Sequence, residues 1–86
     1  VNRELAFANV DAVCQQVMTG VVAVIRNSGK TVKDYDQAVR VMREEIKALI
    51  LGEDYTSERT ALLRGSISEK TVMALVVTNC LAKIHF

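Results

Sequence analysis

The stretch Val24-Ile25-Arg26-Asn27-Ser28-Gly29-Lys30-Thr31 closes on Gly-Lys-Thr ahead of a helical pattern, the ending of a phosphate-binding loop. Such a loop wraps backbone amides around the anion. It needs a glycine where Val24 stands and a preceding strand in a parallel sheet. A chain of 86 residues leaves little room for that sheet, so the stretch reads as a helix-to-helix turn. His85 is the lone histidine, and Cys14 and Cys80 are the two cysteines, each set in an apolar run. A closed zinc site needs more donors than these, so both thiols are expected to be buried and reduced and His85 to complement a helix end. Asp34 with Asp36 and Glu44 with Glu45 are acid pairs by proximity alone, expected on a solvated helix surface. Ser66 and Ser68 have capping to do and no histidine near them in sequence. No catalytic residue, metal or cofactor is expected, and the chain is read as not an enzyme.

Nucleic acid is the other chemistry to weigh. Lys and Arg total 11 against 10 Asp and Glu, a formal net charge of +1, whereas duplex binders usually carry a basic surplus. Residues 60–77 nonetheless have the outline of a helix-turn-helix, with Ile67 and Ser68 in the turn. Lys70, Thr71, Ala74 and Thr78 would face the bases, and Arg59, Arg64 and Lys70 the phosphates. Leu62 stands where that motif wants a small residue, and the reading face is poor in the side chains that contact base edges. A small DNA-binding regulator is therefore the alternative reading.

The elements that would position any of these residues are helical. Val32, Tyr35, Val39, Met42, Ile46 and Leu49 recur at gaps of three and four through residues 32–51, with Lys33, Asp36, Arg40, Arg43, Glu44 and Lys47 opposite. Asp36–Arg40 and Arg40–Glu44 are spaced for surface ion pairs. Phe7, Val10, Cys14, Val17, Val21 and Val24 repeat the rhythm from about Asn2 to Asn27, with Val13, Met18 and Ile25 widening the stripe. Gly20 inside that helix marks a close approach of another helix, since glycine there costs about 1 kcal/mol against alanine. The β-branched Val21–Ile25 favours a strand locally, but the helical spacing runs through it.

Gly29 and Gly52 are expected to close the first two helices in the left-handed conformation, and Thr31 to cap the second. Thr56 or Ser57 caps a short helix that Gly65 stops. Ser66-Ile67-Ser68-Glu69 reads as a capping box opening a last helix from Ile67 to about His85. That helix carries little charge and is expected to lie deep in the core.

One domain over residues 1–86 is expected: an all-α bundle of three main helices and one short one. With 50% hydrophobic residues in so short a chain, it is expected to be completed by homodimerisation along Val32, Tyr35, Val39, Met42, Ile46 and Leu49. Those valine, isoleucine, methionine and leucine positions follow the division seen in two-stranded coiled coils. The expected function is a small non-enzymatic interaction or regulatory protein whose partners are itself and another protein. The longest uncharged run, Ala12 to Ile25, contains Gln15, Gln16 and Gly20 and is too short to span a bilayer. Arg3 and Glu4 interrupt any secretory pattern, and the expected location is the cytoplasm.

Overall fold

The computed structural model describes residues 9–86, in which the chain is all-α with no strand. Helix α1 spans Val10–Ser28, α2 Tyr35–Leu51, α3 Thr56–Leu63 and α4 Glu69–Lys83, with a 3-10 turn at Glu53–Tyr55 leading into α3. The three long helices pack together in a bundle 40 × 21 × 21 Å in extent. The expected start of the first helix, with Phe7, lies outside the described residues.

Asn9 caps α1, its side-chain oxygen accepting from the Ala12 N–H at 3.2 Å. The helix buries Val13, Val17 and Val21, while Val10, Met18 and Val24 of the expected stripe are exposed. The stripe is turned because α4 lies against the Gly20 side of α1. A Cβ added to Gly20 would stand 2.8 Å from Val77 Cγ2, so the expected close approach is there and α4 makes it. Val21–Ile25 is helical throughout.

Gly29 ends α1 at φ 68°, ψ 11°, as expected of a glycine cap. The chain then bends at Lys33 and reaches Asp34, which replaces Thr31 as the cap of α2 by accepting from the Gln37 N–H at 3.1 Å. Val32 thus lies in the connection, packed against the core, and Tyr35 is the first residue of the helix, 78% exposed. The buried face of α2 is Ala38, Met42, Glu45, Ile46 and Leu49. Among the described residues the ion pair formed is Lys83–Glu45, and the expected Asp36–Arg40 and Arg40–Glu44 contacts are not closed.

Gly52 does end α2, but at φ −85° rather than in the left-handed region. Glycine is required by crowding: an added Cβ would lie 2.8 Å from Ala48 Cα and 2.9 Å from its carbonyl oxygen. Neither Thr56 nor Ser57 caps α3, which grows out of the 3-10 turn with Tyr55 at the cap position and no side-chain cap bond. Gly65, at φ 77°, closes α3 with paired bonds from Gly65 N–H to Leu62 O and from Ser66 N–H to Ala61 O.

Because Ser66 is used in that closure, the cap of α4 shifts two residues to Ser68, whose Oγ accepts from the Thr71 N–H at 3.2 Å. The helix buries Val72, Val76 and Cys80, and Ile84 continues the four-residue ladder just past its end. Only that edge is fully buried: Leu75 is exposed, and Met73, Val77 and Leu81 are half-buried. The chain end is stitched to the start of α2. The Gln37 amide donates to Lys83 O at 2.8 Å and accepts from the His85 N–H at 3.1 Å, while Lys33 N–H donates to His85 O at 3.0 Å. Lys30 Nζ sits 5.1 Å from the Phe86 ring centroid, within cation–π range.

The Gly20–Val77 contact makes a direct prediction. Gly20→Ala gains about 1 kcal/mol of helix propensity but drives a methyl into a stiff β-branched side chain at a cost of about 1–3 kcal/mol, a net loss of up to about 2 kcal/mol in urea unfolding. Val77→Ala in the same chain should restore most of that loss, and equal losses in both backgrounds would contradict the close packing.

Candidate functional site

The densest polar arrangement is built around Glu45, which is 5% exposed in the middle of α2. A buried carboxylate is costly unless each oxygen has a partner. Here Oε1 accepts from Lys83 Nζ of α4, and Oε2 accepts from the Tyr55 hydroxyl at 2.5 Å. Tyr55, buried in the 3-10 turn, in turn accepts from Asn79 Nδ2 of α4 at 2.8 Å. One carboxylate thereby joins α2, the turn and α4. Glu45 was expected to be solvated beside Glu44; the structure buries it because it shares the Ala38–Met42–Leu49 edge that α4 covers.

Protonation in this cluster is biased in one direction. Burial first, then the hydrogen bond to Glu45, pushes the Tyr55 phenol well above its ordinary value of 10.0. Burial and the Glu45 charge push the Cys80 thiol up to about 11. The hydrogen bond and charge of Glu45 raise the Lys83 ammonium above 10.5, and that side chain remains 58% exposed. A phenol and a thiol held this firmly neutral are poor bases and nucleophiles at neutral pH. The arrangement is suited to holding three segments in register.

Arg59, assigned to phosphates in the DNA-binding alternative, is engaged elsewhere. Its guanidinium donates to Ala48 O at 3.2 Å, Leu49 O at 2.9 Å and Gly52 O at 2.6 Å, and to Thr56 Oγ1 at 3.3 Å. These carbonyls lie at the end of α2, where Ala48 O also accepts from the Gly52 N–H, so Arg59 acts as a C-terminal cap supplied from α3. Its position three residues into a short polar helix gave no sequence signal for that role. Arg64 and Lys70 are exposed around the α3–α4 turn, whereas Val72 is buried.

The remaining candidates are dispersed. The residues Gly29-Lys30-Thr31 follow an α-helix rather than a strand, without the geometry of a phosphate loop. Cys14 is half-buried and Cys80 buried, both free thiols, and His85 lies past the end of α4 with its backbone bonded to α2. Among the described residues no group of three or more His, Cys, Asp and Glu side chains is placed to hold a metal. No helix among them is long and apolar enough to cross a membrane.

Of the six residues expected along a dimer seam, Met42, Ile46 and Leu49 are buried in the subunit's own core, Val32 and Val39 pack at its edge, and Tyr35 is exposed. Part of the apolar surface left outside is a flank of α1 and α2, while Val24, Tyr35, Leu63 and Leu75 are exposed as well. Val10, Met18 and Val22 are exposed on α1, and Leu51 is 76% exposed at the end of α2. Between the two helices runs a groove with Cys14, Ile46 and Ile50 in its lining. No protein-family model, curated protein or solved structure matches this chain.

Two measurements check this geometry. Tyr55, Cys80 and Lys83 all have folded values raised above their unfolded ones, so their contribution is complete below those values and is lost as pH rises. The urea midpoint should therefore fall as pH climbs from the ordinary thiol value of 9.0 through about 11, and a flat profile would contradict the cluster. Arg59→Lys keeps the charge but loses the fork, and should cost about 1–3 kcal/mol of stability; an unchanged midpoint would remove the capping role.

Proposed function

We propose that this chain is a small non-catalytic interaction protein that works by presenting helical surfaces to other protein chains, a second copy among them. The observation that carries the reading is the apolar flank of α1 and α2, where Val10, Met18, Val22 and Leu51 stand in solvent beside a groove. Exposed aliphatic side chains beside an apolar groove are characteristic of an association surface. The polar cluster is consistent with the same reading, because its donors and acceptors are spent on one another.

Magnitudes set the expected strength. Fully burying one such aliphatic side chain contributes about 1.5–3 kcal/mol, against an association cost of about 4–15 kcal/mol. A few exposed side chains with the groove behind them therefore support weak to moderate association. The DNA-binding alternative keeps Arg64 and Lys70 as exposed cations but has Arg59 committed to capping. Sedimentation velocity over a micromolar concentration series should show a species of twice 9.5 kDa growing in with concentration. A 9.5 kDa species throughout would remove self-association from the reading.

A further inference from the structure

We propose that the groove between α1 and α2 docks an amphipathic helix of another protein whose apolar face is flanked by carboxylates. This deepens the interaction reading above and rests on it. The groove is lined by Cys14, Ile46 and Ile50, with Leu51 at its end, and Arg43 and Lys47 line it with their aliphatic stems, so that their charged ends stand at its rim. Among the described residues no Asp or Glu lines it. The two cations stand four residues apart on one side of α2, both exposed, and neither forms an ion pair with a described residue.

A furrow between two packed helices accepts a ridge of side chains spaced three and four apart, which is what an apolar helix face offers. Two exposed cations on its rim that form no ion pair with a described residue favour acidic flanks on that helix, which gain charge-assisted contacts as water leaves. The same charges disfavour a second copy in this groove. A two-fold contact across it would bring together Arg43 and Lys47 of both subunits, which are unpaired among the described residues. A lipid surface is a poorer match, because Cys14 and Ile50 are half-buried and recessed where insertion needs projecting side chains.

The test uses the full chain and two labelled synthetic helices of about five turns, with leucines at i, i+3, i+4 and i+7. One carries glutamates on both flanks and its twin carries lysines there. Fluorescence anisotropy should show the glutamate peptide binding at least about tenfold more tightly, a difference of about 1.4 kcal/mol. Arg43→Glu with Lys47→Glu should invert the preference, and Leu51→Asp should weaken the glutamate peptide; all three side chains are exposed, so the fold is retained. Equal binding of the twins, no binding, or flotation of the protein with anionic vesicles in place of peptide binding would overturn the proposal. A 9.5 kDa monomer with the preference intact removes self-association and supports the groove. A dimer with no preference overturns the groove and leaves the interaction reading standing.

Discussion

The buried carboxylate of Glu45 constrains the rest of the molecule. An acidic side chain 5% exposed must find a partner for each oxygen, and the chain supplies them from two directions. Tyr55 reaches it from the turn after α2, and Lys83 from the end of α4. Satisfying both fixes where the chain reverses after Gly52 and how far α4 extends along α2. Asn79 completes the phenol's bonding and ties the same turn to the middle of α4. Removing a partner would leave a buried polar group uncompensated, which costs more than the bond itself returns.

Around that clamp the apolar packing follows a simple rule. Val13, Val17 and Val21 of α1 and Val72, Val76, Cys80 and Ile84 of the α4 region are four-residue ladders, and both ladders are closed over by α2. The absent side chain of Gly20 lets α1 and α4 approach, and that approach sets the rotation of α1. The rotation leaves Met18 and Val22 on the outer flank. The exposed apolar surface on which the functional reading rests is thus a consequence of how the core is closed.

Much of this architecture is legible in the residues, and the gaps have physical causes. The helical spacing of residues 10–28 and 35–51, the left-handed Gly29, the stop at Gly65 and the close approach at Gly20 are local or pairwise signals, whereas Gly52 ends its helix without the left-handed conformation expected of it. The phase of each buried stripe is not such a signal, because it depends on where α4 lies. Cap positions slipped too: Asp34 rather than Thr31 caps α2, and Ser68 rather than Ser66 caps α4, the Ser66 N–H being taken by the turn that closes α3. Glu45 carried a usable signal, since Ala38, Met42, Glu45 and Leu49 run at gaps of four, three and four. A charged residue inside an apolar spacing marks either a break in the stripe or a buried pair. Tyr55, Asn79 and Lys83 lie too far off in sequence to decide between them. The groove between α1 and α2 is legible only once both helices are placed.

The most direct test of the clamp is a double-mutant cycle on Glu45→Gln and Tyr55→Phe, followed by urea unfolding at neutral pH. If the carboxylate and phenol are one another's principal partners, the two losses will be strongly non-additive, with a coupling of about 1–3 kcal/mol. Additive losses, within about 0.3–0.5 kcal/mol, would contradict the claim that this buried contact organises the bundle.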